Sequence, residues 1–343
     1  MAAMRAITMS GYGGTEVLQL SEIEAPACGH DDVLVRVRAA SINPVDTKIR
    51  GGSQRVAIPL RFPHVLGMDL AGDVIEVGSN VREFAVGDRV FGSPSHKRMG
   101  SYAEVACVRA SELAKMPSSV GYVEAASLPL AALTAWDSLV RHGHLERGQR
   151  VLIQAGAGGV GSLAIQIAKH FGAKVYATSS ARNIEFLREL GTDVPIDYAK
   201  EKYDEVAKDC DIVVDCLGPE HFDRTLAMTK KGGIFIALTA GIPEAVQEHG
   251  PFFGLLAAFF HLVGFWLVAR FSRNVKFKPI ARKPDGEVLA KIADLVDQGA
   301  LRPIVERVLP LEDAALAHRI SEEGRSRGKV VLTMDAAAET APA

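Results

Sequence analysis

The sequence predicts an α/β chain in two parts, a doubly wound parallel sheet and a partly closed β-barrel. Three observations predict it. An apolar strand at 151–154 empties into a run of glycines and then into an apolar-periodic helix. From about residue 126 onward, apolar strands alternate with helices, the pattern of a parallel sheet covered on both faces. Before that point, short strands are broken by frequent glycine turns, the texture of a small barrel.

The first part, 1–125, has strands expected at 5–9, 33–37, 72–77, 89–91 and 102–105. The second, 126–279, has strands at 151–154, 174–177, 212–215 and 233–238, with a helix from about 159 to 171 that Gly172 closes. The third, 280–334, has helices at 285–298 and around 312–323, an apolar stretch at 304–309 and a last strand at 329–333. The tail 335–343 is small and polar and is expected to be disordered. Strand-like sequence from residue 5 leaves no room for a signal peptide, so the expected location is the cytoplasm.

At 343 residues the chain accommodates two domains and a sizeable core. A formal net charge of −2 gives no reason to expect nucleic acid as a partner. Cys28, Cys107, Cys210 and Cys216 are scattered without C-x-x-C spacing, so they read as reduced thiols rather than a disulfide framework or zinc knuckle.

The most informative motif is Gly156-Ala-Gly158-Gly159-Val160-Gly161, a G-x-G-x-x-G loop between strand and helix. In a Rossmann dinucleotide site Gly156 permits the tight turn, Gly158 admits the pyrophosphate and Gly161 lets the helix pack on the strand. The helix amino end offers unpaired N–H groups and positive dipole to the anion. An NAD site carries an acid at the end of the second strand to hold the ribose hydroxyls. Here that position reads Thr178-Ser179-Ser180-Ala-Arg182, with no acid before Glu185. Hydroxyls and a guanidinium bind a 2′-phosphate, whereas a carboxylate repels it, so the expected cofactor is NADPH, with Ser180 and Arg182 at the phosphate. Gly159, Val160, Ser179, Leu217, Leu238 and Thr239 are further candidate cofactor contacts.

Several blocks together resemble the medium-chain dehydrogenase/reductase superfamily, in its zinc-free quinone oxidoreductase branch, the zeta-crystallin-like enzymes. They are Ser41-Ile-Asn-Pro-Val-Asp46, Gly67-Met-Asp-Leu-Ala-Gly72, Gly87-Asp-Arg-Val-Phe-Gly92, Leu128-Pro-Leu-Ala-Ala-Leu-Thr-Ala135, the glycine loop and Gly328-Lys-Val-Val-Leu332. The resemblance covers roughly 4–334. It implies a GroES-like catalytic domain over 1–125, a return to that domain over 280–334, and a homodimer. Zinc-dependent members place a cysteine where this chain has Asn43 and Gly-His-Glu where it has Gly67-Met68-Asp69; an amide and a thioether do not replace thiolate and imidazole.

Hydride transfer to a carbon already activated by conjugation needs no metal, so the expected acceptor is a quinone or the β-carbon of an α,β-unsaturated carbonyl. Asn43, in the loop resembling the family's active-site loop, has an amide to donate; Lys48 offers a cation or a proton, and Asp46 orients the loop. The resemblance also implies Thr134 at the nicotinamide and Tyr198 lining the adenosine phosphate pocket. A non-catalytic NADPH-binding protein of the same fold, an interaction or membrane-associated protein, is the alternative.

Residues 252–269 form an apolar stretch with one histidine and no formal charge, followed by Arg270 and Arg273. It reaches the length of a membrane span. The flanking stretches 233–238 and 275–280 are expected in one sheet, which a single crossing would separate. Two readings remain: a helix or helical pair covering a pocket or a subunit interface, or a peripheral membrane contact with the arginines at headgroup level.

Overall fold

The computed structural model describes residues 3–239 and 250–334, so the 335–343 tail lies outside the described residues. The chain begins with β1 (Ala3–Met9), β2 (Leu18–Glu24) and β3 (Asp32–Ser41), then α1 (Pro44–Arg50), β4 (His64–Val65), β5 (Leu70–Val77), β6 (Arg89–Gly92), β7 (Val105–Arg109) and β8 (Leu113–Lys115). Helices α2 (Tyr122–Ala126) and α3 (Pro129–Trp136) lead to β9 (Arg150–Ile153), α4 (Gly159–His170), β10 (Lys174–Ser179), α5 (Ile184–Glu189) and β11 (Val194–Asp197). Then come α6 (Tyr203–Val206), β12 (Cys210–Asp215), α7 (Phe222–Met228), β13 (Thr229–Ala237), α8 (Pro251–Arg273) and β14 (Lys276–Pro279). Finally α9 (Gly286–Asp297), β15 (Val305–Pro310), α10 (Ala314–Glu322) and β16 (Lys329–Thr333) close the described chain.

The chain divides into two compact units, Met1–Leu133 with Lys283–Ala343, and Thr134–Arg282. The expected boundaries lay at 125/126 and 279/280; α3 carries the first crossing further along than the change in sequence texture.

The first unit holds a three-stranded sheet, β2-β1-β4, and a seven-stranded sheet running β15-β16-β3-β5-β6-β8 with β7 also on β3. β3 is its hub, pairing antiparallel with β5, β7 and β16. Eight of its ten residues are buried, as its Val, Leu and Ala content requires of a central strand. The strand expected at 102–105 forms instead at Val105–Arg109, because the Tyr102 carbonyl accepts from Ile7 and ties that residue to β1. β2 escaped prediction; it is amphipathic and largely exposed, an edge strand with little apolar signal.

The second unit is a six-stranded parallel sheet in the order β11-β10-β9-β12-β13-β14. With β9 counted as first, this is the order 3-2-1-4-5-6 of the doubly wound dinucleotide fold, and its switch point falls beside β9. Val151, Leu152 and Ile153 are fully buried, as a central parallel strand demands. α4 ends as expected, with Gly172 left-handed at φ 77° after it. β11 also escaped prediction, being four residues long and containing Pro195. β13 and β14 pair in parallel, as expected of 233–238 and 275–280, and the apolar stretch between them is one continuous helix, α8.

Candidate active site

In the second unit, the candidate nucleotide site lies at the carboxyl ends of the parallel strands. β9 runs out through Gln154 into the glycine loop, and Gly158 caps α4 in extended backbone. The left-handed residue of this turn is Ala155 at φ 50°, so the turn expected of Gly156 is made one residue earlier. Gly156 is needed for packing, since a Cβ there would press 3.0 Å from Ala177 and from Leu187. A Cβ on Gly161 would stand 2.3 Å from the Ala155 carbonyl oxygen, so bare backbone lets α4 start against the strand. At Gly158 the nearest atom to such a Cβ is the Ala155 oxygen at 3.4 Å, leaving that face for a ligand. The first bond bridging cap and helix is Ser162 N–H to the Gly158 carbonyl, so the amides of Gly159, Val160 and Gly161 have no intrahelical acceptor. Together these features form a cradle suited to a pyrophosphate.

β10 ends at Ser179, which is buried, and Ser180 follows at the start of a short turn, Ala181–Asn183, on which Arg182 is exposed. Asn183, which the sequence reading missed, orients both hydroxyls: its Nδ2 donates to Ser179 Oγ at 3.1 Å and Ser180 Oγ at 3.4 Å. Tyr198 N–H donates to the Ser179 carbonyl at 3.2 Å, and its ring is 56% exposed. Ser179, Ser180, Arg182 and Tyr198 therefore share one corner of the sheet end, without an acid at the end of β10.

Asp215 closes β12. Burial pushes its carboxyl up to about 6, and its Oδ1 accepts the N–H groups of Leu217 at 2.8 Å and Gly218 at 3.3 Å. Its backbone carbonyl accepts from Leu238 at 2.9 Å, which sets Leu217, Leu238 and the adjacent Thr239 at neighbouring strand ends. Thr239 Oγ1 is buried with no hydrogen-bond partner among the described residues. Thr134 is 9% exposed, and its carbonyl accepts from Ser138 Oγ at 2.7 Å.

In the first unit the loop before α1 forms a buried polar cluster. Asp46 accepts the Asn43 backbone N–H at 2.9 Å and the Tyr102 hydroxyl at 3.0 Å, both on Oδ2. Its Oδ1 is buried without a partner among the described residues, and burial holds its carboxyl up at about 6. Asn43 is 1% exposed, and its amide is engaged on both sides. Nδ2 donates to Asp69 Oδ2 at 2.8 Å, and Oδ1 accepts from Lys329 Nζ at 2.5 Å. Lys329 also donates to the Ile42 carbonyl at 2.8 Å and lies 3.3 Å from Asp69 Oδ2. Burial lowers the Lys329 pKa, against the attraction of Asp69 and Asp46. Asp69 further accepts from Ser41 Oγ at 2.8 Å and from the Leu130 N–H at 2.7 Å, so it anchors α3. The sequence reading placed Asn43 and Asp46 in one loop, and the structure joins them through the Asn43 N–H and Asp46 Oδ2; that reading missed Lys329, Ser41 and Tyr102. The available signal was a lysine at the head of an otherwise apolar strand. Lys48 is half-buried on α1.

Known proteins match this architecture. Residues 29–118 match the alcohol dehydrogenase GroES-like domain, and 190–332 match the zinc-binding dehydrogenase family. An NADPH-dependent alkenal/one oxidoreductase, chloroplastic, of Arabidopsis thaliana is 36% identical over 96% of this chain and 79% of its own. The quinone oxidoreductase of Coxiella burnetii superposes with a TM-score of 0.86 at 31% identity, over 97% of this chain and 100% of that one. The Escherichia coli quinone oxidoreductase, solved with NADPH, gives 0.80 at 26% identity, over 96% and 99%. Fold and glycine cradle define a nicotinamide-dinucleotide oxidoreductase with a GroES-like domain. Within that class the chain belongs to the medium-chain dehydrogenase/reductase superfamily, in its zinc-free quinone oxidoreductase branch.

The zinc implied by one family description does not fit the residues present. Asn43 is an amide engaged on both sides, Met68 is a buried thioether, and Asp69 carries the Lys329 ammonium. A cation already sits among these groups, and a second would be repelled.

Proposed function

We propose that this protein is a zinc-independent, NADPH-dependent reductase of quinones or α,β-unsaturated carbonyls. One observation carries the reading: the Lys329 ammonium neutralises Asp69 and donates to the Asn43 amide oxygen, so these groups offer no free donor set to a metal Lewis acid. NADPH, when bound, supplies the hydride equivalent. The first-turn amides of α4 would hold its pyrophosphate, and Ser179, Ser180 and Arg182 its 2′-phosphate, with Tyr198 beside them. Leu217, Leu238, Thr239 and Thr134 would line the path of the rest of the cofactor.

Asn43 and Asp46 serve as positioning residues. Their bonds lie within the protein and fix the loop that opens α1. Lys48, four positions beyond Pro44 on the same helix, is the group we assign to meet negative charge developing on the acceptor oxygen and to deliver a proton from Nζ. The names of the relatives, an alkenal/one oxidoreductase and two quinone oxidoreductases, support both acceptor types.

The test is loss of reduced-nicotinamide absorbance by purified, chelator-treated protein against quinones, alkenals and enones, with NADPH and NADH in parallel. The expected result is turnover of a conjugated acceptor with preference for NADPH, unaffected by chelator. Loss of turnover on chelation, or equal use of both cofactors, overturns the corresponding part of the reading.

A further inference from the structure

Asn183 stands at the amino end of α5, where an asparagine ordinarily caps the helix through its side-chain oxygen. Here the side chain makes no cap bond. It turns back instead to the end of β10, held there by a turn in which the Asn183 N–H donates to the Ser180 carbonyl at 2.9 Å. Its Nδ2 donates to Ser179 Oγ at 3.1 Å and, more weakly, to Ser180 Oγ at 3.4 Å. Asn183 is 5% exposed and Ser179 6%, so the stronger bond is shielded from water. The corner adjoins the glycine loop, because the Gly156 N–H donates to the Thr178 carbonyl at 2.8 Å, one residue before Ser179.

The direction of these bonds decides where the serine protons go. An amide nitrogen only donates, so each serine oxygen that meets it accepts and keeps its own proton for another partner. Among the described residues neither serine hydroxyl has a second partner. The acid in register with Ser179, Asp197 on β11, is taken up by the Ala199 N–H at 3.1 Å and by Lys200 at 3.9 Å. Two hydroxyl protons are therefore left for an incoming group. A phosphate dianion accepts on every oxygen and takes both through charge-assisted bonds, whereas a ribose hydroxyl gains only neutral ones. We propose, on the NADPH reading above, that Asn183 sets the cofactor specificity by turning the Ser179 and Ser180 hydroxyl protons toward the 2′-phosphate. It is a positioning residue, acting through the two serines. Asn183→Asp keeps its size and reverses its role: a carboxylate only accepts, so it draws the serine protons inward and sets a negative charge against the phosphate.

The experiment is fluorescence titration of the full chain with NADPH and with NADH, in the wild type, Asn183→Asp and Asn183→Leu, with thermal unfolding alongside. Asn183→Asp is expected to weaken NADPH by at least about ten-fold and NADH by no more than about two-fold. Asn183→Leu should cost NADPH about five-fold, and less than about two-fold once Ser179→Ala/Ser180→Ala has removed the hydroxyls it orients. Equal losses for the two cofactors would make Asn183 a structural residue and overturn the proposal. So would an Asn183→Asp variant that keeps the wild-type preference, the result expected if the hydroxyls donated to Asn183 Oδ1. Should Asn183→Asp not fold, the Asn183→Leu cycle decides, and a loss undiminished without the serines overturns the proposal. A wild type that binds both cofactors equally strikes the NADPH reading itself, whereas a wild-type preference that no Asn183 variant shifts strikes Asn183 alone.

Discussion

Lys329 Nζ donates to Asn43 Oδ1 at 2.5 Å, joining residues 286 positions apart in the sequence. Both are buried, and Asp69 completes the triad. Removing one partner of a buried pair strands the other charge, at a cost of about 3–5 kcal/mol. Lys329→Met is therefore expected to lose about that much in urea unfolding. Lys329→Met/Asp69→Asn should recover a large share, because no charge is then left uncompensated. An unchanged midpoint in the single variant would show that the triad contributes no coupling.

Asp46 gives a pH signature. Its carboxyl sits at about 6 in the folded protein against an ordinary 3.8, because burial penalises the charged form. The native state therefore holds this proton more tightly than the unfolded chain. Its contribution is most favourable below pH 3.8 and is lost as the pH rises through 6, a change of about 3 kcal/mol. The stability difference between Asp46→Asn and the wild type should shift toward the variant by about that amount across this window. A difference independent of pH would contradict the assignment.

The glycine loop separates binding from folding. Gly161→Ala forces a Cβ against the Ala155 oxygen, so both folding stability and NADPH affinity should fall, each by about 1–3 kcal/mol. Gly158→Ala meets nothing closer than 3.4 Å and should melt like the wild type while still losing cofactor affinity. Thermal unfolding and fluorescence titration with NADPH read the two effects separately. Equal affinity in Gly158→Ala would remove the pyrophosphate from this loop.

Arg182 is exposed and stands next to hydroxyls that Asn183 orients. Arg182→Ala should weaken NADPH by about ten-fold, the worth of one charge-assisted hydrogen bond, and leave NADH unchanged. Isothermal titration with both cofactors measures the ratio. A parallel loss for NADH would place Arg182 away from the 2′-phosphate.

The sequence by itself determined the nucleotide half. Strand, glycine loop and helix are encoded within some twenty consecutive residues, and the absence of an acid at the end of β10 is a local fact. Spacing and backbone permissiveness act over short range, so they can be read from a string. Edge strands β2 and β11 were not legible, because a partly exposed or proline-containing strand has little apolar periodicity. Nor was the working state of Asn43, whose amide looked available for an acceptor. Tertiary structure alone decided that it is spent on Asp69 and Lys329, since a buried charge must find its partner in space wherever the chain supplies it. The same holds for α8: its apolar composition was plain in the sequence, but only the packing of Phe222, Phe235 and Phe277 beneath it decided which face is covered and which is exposed.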